Sequence, residues 1–225
     1  MTSDPFYEKA ALYWSKVECS DDGMLGGLSH VSELDIEDSK VFLTTLEKTT
    51  TINKNSCIDN GAGIGRVTKH LLSEFYGSVD LVESNPKFLH HAKTINLKGL
   101  SNIGDYYCSS LHVFDFTKKY DCIWIQWVSS QLFNQDFISF LKRCKSALND
   151  DGIIVVKENF FMSDIDDQIV MDETDYSFTR TDKGFKKLFN SAGLSVILEQ
   201  KQGNWPQQLF PVKSYALKPI NTIDA

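Results

Sequence analysis

Three closely spaced glycines constrain this chain more than any other feature. The run Cys57-Ile58-Asp59-Asn60-Gly61-Ala62-Gly63-Ile64-Gly65-Arg66 ends a short apolar segment in an acid and passes through G-x-G-x-G. It then opens into a helical pattern, Val67-Thr68-Lys69-His70-Leu71-Leu72. Glycines at such a turn let the backbone bend sharply and approach a ligand closely. The helix that follows offers unpaired N–H groups and the positive end of a dipole. A loop of that kind suits a nucleotide-like cofactor. The next strand pattern, Val79-Asp80-Leu81-Val82, ends in Glu83, about 20 residues beyond the glycines, where a carboxylate can bind ribose hydroxyls. G-x-G-x-G alone is a weak signal; with Glu83 closing the second strand it predicts nucleotide-type binding.

Strand and helix patterns alternate from residue 56 onward. The pattern predicts strands at 56–60, 79–83, 104–108, 121–127, 152–158, 194–200 and 212–218, with helical stretches near 64–75, 86–97, 134–148 and 182–192. Cys122–Trp127 and Gly152–Lys157 are nearly continuous apolar runs, as expected of central strands covered on both faces. Pro86 sits where a helix would begin, and Gly152 and Gly193 follow helical stretches as stops. Seven strands, the last two without a full helix between them, predict a doubly wound α/β sheet ending in an antiparallel hairpin. Ligands of such sheets bind outside the carboxyl ends of the strands, where Gly61, Glu83, Gln126 and Asn159 fall.

The first 50 residues read differently. Phe6 to Val17 is patterned as a short amphipathic helix bearing Tyr7, Tyr13 and Trp14. Asp22-Gly23-Met24-Leu25-Gly26-Gly27 is a glycine-punctuated loop, and a helical stretch covers Glu37 to Glu47. These elements either pack against the sheet or form a lid over a site. Met24 and Leu25, apolar residues flanked by glycines, are odd on a surface unless something covers them, and spacing alone leaves both readings open.

Composition narrows the class. The 225 residues are 42% apolar and 24% charged, as in an ordinary soluble globular chain. No apolar run reaches the ~18 residues of a membrane span, and the polar N-terminus lacks a signal-peptide core. The expected setting is therefore intracellular, and no membrane partner is expected. Five scattered cysteines without a C-x-x-C pair read as free thiols, and no metal is expected. A net charge of −7 argues against holding nucleic acid through its phosphates and is compatible with a basic substrate.

The motifs together resemble the eukaryotic protein α-N-terminal methyltransferases, over nearly the whole chain. The residues that carry the resemblance are Tyr13-Trp14, Asp22-Gly23-Met24-Leu25-Gly26-Gly27, Gly61 to Arg66, Ile123-Trp124-Ile125-Gln126-Trp127-Val128 and Phe140 to Lys145. Val156-Lys157-Glu158-Asn159, Asp172-Glu173-Thr174-Asp175 with Ser177 and Arg180, and Ser214-Tyr215-Ala216-Leu217 continue it. Val156 to Asn159 and the Tyr215-Ala216-Leu217-Lys218-Pro219 stretch lean toward fungal members. The resemblance implies a class I, Rossmann-like, seven-stranded methyltransferase fold over residues 51–225, with residues 1–50 as a helical lid or extension. It implies S-adenosylmethionine as cofactor and methylation of the α-amine of proteins beginning Xaa-Pro-Lys/Arg, with ribosomal and chromatin-associated proteins as partners. Read onto this chain, Gly61 and Gly63 would pass under the methionine moiety, with Arg66 on its carboxylate and Glu83 on the ribose. Leu111 and His112 would flank the adenine, Gln126 would complete the cofactor set, and Trp14, Met24 and Gly26 would close over the sulfonium. Trp127 would offer a flat face to the substrate proline, Asn159 would orient the amine and Asp175 would take its proton. Asp172 and Glu173 would receive the basic third residue, and Leu25, Ser177, Leu209 and Phe210 would line the peptide channel.

The chain departs from that family at two places. Where the family usually reads Gly-His-Leu after Gln-Trp-Val, this chain has Ser129-Ser130-Gln131-Leu132, and glutamine cannot take up a proton at neutral pH. Where Asp-Ser-Ser is usual, it has Asp175-Tyr176-Ser177, preceded by a longer loop from Phe160 to Val170. Proton removal would then rest on Asp175, with Gln131 positioning. The departures keep open a weakly active or non-catalytic cofactor-binding partner protein, or an enzyme acting on a small-molecule amine.

Overall fold

The structure, a computed structural model, describes residues 4–220. Its sheet is built from β1 (Cys57–Asn60), β2 (Val79–Glu83), β3 (Ile103–Cys108), β4 (Tyr120–Gln126) and β5 (Leu148–Phe161). It is completed by β6 (Ile169–Asp172), β7 (Ser177–Thr181), β8 (Leu194–Lys201) and β9 (Val212–Pro219). Strands β3-β2-β1-β4-β5 lie parallel; β9 pairs antiparallel with β5, and β8 antiparallel with β9. These seven are the strands legible in the sequence, and the order is that of a class I methyltransferase sheet. Two further strands are a correction to the seven-strand expectation. β6 and β7 form an antiparallel hairpin whose β7 continues beside the end of β5, pairing Phe160 with Arg180 and Phe161 with Thr181. Every residue of β6 is exposed, so no alternation marked it.

Helices cover both faces. Within β4, which is buried at every position, Ile123 and Ile125 face one layer and Trp124 the other. The first layer is α6 (Asn134–Ser146) and α7 (Asp182–Ser191), which contribute Phe137, Phe140, Leu141, Phe185 and Phe189. The second is α3 (Ser32–Thr49), which brings Ile36, Phe42, Leu43 and Leu46 against Leu71, Trp124, Val155 and Ala216. The first 50 residues therefore do two jobs. α3 is core, while α1 (Pro5–Lys16) and α2 (Asp21–Met24) lie over the carboxyl ends of the strands. α1 starts where the sequence says it should, with Pro5 in its first turn and Asp4 accepting the Phe6 N–H at 2.9 Å. The remaining helices are short: α4 (Ser73–Phe75) follows a wider π-helical stretch Thr68–Leu72, and α5 (Pro86–His91) runs into another, Ala92–Asn96.

A buried charge cluster fixes α3 on the sheet. Asp35 is fully buried and ion-paired to Lys157 Nζ of β5 at 2.6 Å and to Arg66 at 2.7 Å. Gln126 Nε2 donates to both its oxygens, at 2.8 and 2.9 Å, and Ser39 accepts from Lys157 at 2.8 Å. Burial alone would push the Asp35 carboxyl up, but Lys157 and Arg66 hold it below the ordinary carboxylate range.

Removing one member of such a cluster strands the others. Asp35→Leu should destabilise the protein by about 3–5 kcal/mol in urea unfolding, because two buried cations lose their counterion. The double variant Asp35→Leu/Lys157→Met should recover part of that loss; equal stability of wild type and Asp35→Leu would show that the cations find water instead.

Candidate active site

The glycine loop forms one wall of a cavity of about 310 Å³. Gly61 and Ala62 donate their N–H groups to the Val82 carbonyl at 2.9 and 3.0 Å, folding the loop against β2. Gly61 has φ +75°, and a Cβ there would lie 2.5 Å from the Val128 side chain; Gly63 has φ +56°, and a Cβ would meet Met24 Sδ at 2.8 Å. Both positions thus require glycine for space as well as for conformation. Glu83 stands at the end of β2, with Oε2 accepting from Gly63 N–H at 3.0 Å and Oε1 from Asn85 N–H at 2.7 Å. Burial pushes its carboxyl up, and hydrogen bonds from Asn85, Gly63 and Ser84 pull it back.

The loop after β3 supplies the opposite wall through Leu111 and His112, and Arg143 holds that loop by donating to the carbonyls of Leu111, His112 and Phe114. His112 is not a loose surface residue. Its ring stacks on Tyr7 of α1, centroids 4.2 Å apart and planes 7° apart, and its Nδ1 meets Ser110 Oγ at 3.0 Å. Tyr7, Ala10, Ala11 and Trp14 of α1, with Met24 and Leu25, form the lid side. Gly26 does not line the cavity. It sits at φ +59° with open space where a Cβ would be, so it shapes the turn behind Met24 and Leu25 rather than a wall.

Arg66 and Gln126 complete the floor, and both are held from behind. Arg66 spends one terminal nitrogen on Asp35 and another on Ser32 Oγ, at 2.7 and 3.2 Å. A guanidinium carries five N–H groups, so donors remain for an anion in the cavity. Gln126 is fixed at both ends, its nitrogen on Asp35 and its oxygen accepting from Trp124 Nε1 at 3.0 Å.

At the cavity mouth β4 is followed by Trp127, a non-glycine residue at φ +51°. Left-handed backbone at a bulky residue is strained and gathers at functional sites. Trp127 and Gln131 line the cavity. With its amide nitrogen turned to the β6–β7 hairpin, Gln131 donates to the carbonyls of Asp175 and Tyr176, at 3.3 and 3.2 Å. Arg180 of β7 ties the hairpin to the segment after β4, donating to the Ser129 and Leu132 carbonyls and to Asn134 Oδ1, while Glu158 accepts from Ser129 Oγ and Ser130 N–H of that segment. Asp175 is half-buried and its Oδ1 is buried without a protein partner. Burial raises its pKa, hydrogen bonds from Ser177 lower it, and the charge of Asp172 raises it again. Tyr13, on the lid, is raised by burial and then by the charges of Asp175 and Asp172, which places the two acids opposite α1.

The other expected residues spread outward from this point. Asn159, half-buried at the far end of β5, stands opposite Val212 and off the cavity wall. Asp172 is exposed and accepts the Thr174 N–H at 2.7 Å; Glu173 is exposed beside it. Leu209 is half-buried and Phe210 is 47% exposed in the loop between β8 and β9. Sequence reasoning missed Asp35 and gave Tyr7, Lys157 and Arg180 no role. An acid in a helix and a lysine in a strand look solvated until the fold stacks them. Among the described residues no group of three or more metal-ligating side chains occurs.

Comparisons with known proteins agree with this geometry. Residues 2–218 match the family model described as AdoMet-dependent proline di-methyltransferase. The chain is 44% identical over 220 residues to the alpha N-terminal protein methyltransferase 1 of Dictyostelium discoideum, covering 96% of this chain and 80% of that one. It is 39% identical over 218 residues to the human N-terminal Xaa-Pro-Lys N-methyltransferase 1, covering 95% of each. A solved SAM-dependent methyltransferase from Leishmania major superposes with a TM-score of 0.89 at 38% identity, covering 96% of this chain and 87% of that one.

The loop geometry makes a controlled comparison available. Gly99 has φ +92° with nothing within 4 Å of a Cβ, whereas Gly61 has Val128 at 2.5 Å. Gly99→Ala should cost only the left-handed backbone term, about 1–2 kcal/mol. Gly61→Ala should cost roughly 1–3 kcal/mol more, because Val128 must move. Melts of the two variants with equal losses would show that Val128 yields freely.

Proposed function

The chain belongs to the AdoMet-dependent proline di-methyltransferase family, and from that premise we propose that it methylates the α-amine of proteins beginning Xaa-Pro-Lys or Xaa-Pro-Arg. The carrying observation is Asp175: its carboxylate is half-buried with one oxygen unpartnered, and its backbone carbonyl accepts from Gln131, which lines the cofactor cavity. The bare glycine cradle, the incompletely filled acceptor capacity of Glu83 and the remaining donors of Arg66 fit S-adenosylmethionine. When bound, that cofactor supplies an electrophilic methyl group on a sulfonium. Everything else falls to the chain's own residues.

An α-ammonium has a pKa of roughly 7.7–8.0, so at neutral pH most of the substrate arrives protonated. Asp175 is the acceptor for that proton, and burial of the amine beside it lowers the cost of removing it. Asn159 orients the amine, and Trp127 gives the proline ring an apolar face. Asp172 and Glu173, both exposed, attract the basic third residue from outside the cavity. The lid residues Trp14, Met24 and Leu25 exclude water from the reacting centre. Ribosomal and chromatin-associated proteins in the cytoplasm and nucleus are the substrates this reading points to.

The direct test is transfer of label from S-adenosylmethionine to an Ala-Pro-Lys or Ser-Pro-Lys peptide; no transfer to either peptide would sink the proposal. Glu83→Ala should weaken cofactor binding by about 1.5–3 kcal/mol in calorimetry, because the ribose hydroxyls lose a charged acceptor. Unchanged affinity in a folded variant would remove Glu83 from the cofactor site.

Asp175 has a pH signature. Its pKa is raised by burial, so its basic form, and activity, are lost as pH falls through that raised value. Above it the wild type should turn over protonated substrate directly. Asp175→Asn should lose transfer by ~10²–10⁴ near neutrality, and its residual rate should climb with the free-amine fraction up to about pH 8. Parallel pH profiles for the two proteins would show that the amine loses its proton to solvent before docking.

A further inference from the structure

Between β8 and β9 the chain runs from Gln202 to Pro211 and carries Trp205, half-buried, with its ring centroid 6.1 Å from that of Trp127 and tilted by 38°. The loop is tied down. Gly203 N–H donates to Asp38 at 3.2 Å, Trp205 Nε1 donates to the Phe210 carbonyl at 2.9 Å, and Leu209 N–H to the Pro206 carbonyl at 3.1 Å. Trp205 is thus placed rather than merely exposed. Trp127 lines the cavity and Trp205, which does not, packs against it, so the two indoles form one continuous aromatic surface beside the cavity. At 6.1 Å the rings are too close to admit another ring between them. They form a corner, not a sandwich.

That corner is chemically incomplete. The indole N–H of Trp127 is buried with no acceptor in the protein, and buried donors are rarely left so unless a ligand or water supplies the acceptor. The indole of Trp205 is committed to Phe210. An indole N–H donates and cannot accept, so beyond the part of the Trp127 ring that the Arg66 guanidinium covers at 5.7 Å, the corner offers apolar surface and one free donor. A substrate residue entering it should be apolar, should bring a carbonyl oxygen, and should not bring a backbone N–H that needs a partner. Proline alone meets all three conditions, because its ring replaces the amide hydrogen.

We propose that Trp205 is a specificity-determining residue: with Trp127 it forms the corner that receives proline at the second position of the substrate. This rests on the Xaa-Pro-Lys reading above. Trp205 excludes water from the outer side of the proline ring, and the Trp127 N–H takes a substrate carbonyl. Specificity for proline then arises partly from what the corner refuses, since any other residue would bury an unmatched amide there.

The test is calorimetric binding of the peptides Ala-Pro-Lys-Arg and Ala-Ala-Lys-Arg to the full chain saturated with S-adenosylhomocysteine. Wild type should prefer the proline peptide. Trp205→Ala should weaken that peptide roughly tenfold, the effect of losing one apolar wall, while barely changing the alanine peptide or the affinity for S-adenosylhomocysteine. Trp205→Phe should restore most of the preference. Equal weakening of both peptides, or of neither, in folded Trp205→Ala and Trp205→Leu variants would overturn the proposal. A wild type that binds S-adenosylhomocysteine but discriminates between neither peptide would overturn the Xaa-Pro-Lys reading as well.

Discussion

Asp35 is the constraint on which the rest of this site depends. A carboxylate with no exposure is tolerable only if cations and donors replace its water, and here Lys157, Arg66 and Gln126 all do so. Each partner comes from a different place: the centre of β5, the helix after the glycine loop, and the end of β4. One buried charge therefore fixes the distance from α3 to two strands of the sheet and to the helix after the glycine loop. The geometry has a functional reading too. Arg66 faces the cavity with its remaining donors because its other side is held, and Gln126, fixed at both ends, lines the cavity beside it. A hydrophobic cluster in place of this one could be as stable or more so, but it would not orient a guanidinium and an amide toward a ligand.

The two halves of the site meet at α1. Phe6 packs against Phe133, Tyr176 and Phe178, which ties the lid to the β6–β7 hairpin, while Tyr7 stacks on His112 at the cofactor wall and hydrogen-bonds Asp136. One helix thus touches the wall of the cofactor cavity with one residue and the hairpin carrying Asp175 with the next.

The sheet was legible because its central strands are covered on both faces and so read as apolar runs; β4 and the middle of β5 obey that rule, while β1 and β2, equally buried, carry acids as well. The cofactor loop was legible because glycine and a strand-ending acid have few other uses at that spacing. The hairpin was not, because Ile169–Asp172 are all exposed and its turn passes through Tyr176 at φ +59°, where a glycine or asparagine would have announced it. Asp35 and Lys157 were not, because charge in a helix or a strand normally signals solvent. Long-range pairing across 122 positions leaves no local trace. Gly26 was drawn into the site by its neighbours Met24 and Leu25, and only backbone geometry separates its role from theirs.

Gln131 shows how a substitution that removes chemistry can add structure. Where the resembled family carries histidine, this chain has an amide that cannot take a proton at neutral pH. Its nitrogen instead reaches two hairpin carbonyls, those of Asp175 and Tyr176. An imidazole has one N–H to give when neutral, so it could serve one of those carbonyls and still accept, or both only in part. The left-handed Tyr176 follows the residue it must not disturb, and strain there of about 1–3 kcal/mol needs support from outside the turn. Gln131 gives that support on one side and the aromatic contact with Phe6 on the other. Tyr176 and Gln131 are therefore best understood as a compensating pair: the bulky ring strains the turn, and the amide holds it. On the proposed function, proton acceptance then rests on Asp175, a hairpin carboxylate that burial holds above the ordinary carboxylate range.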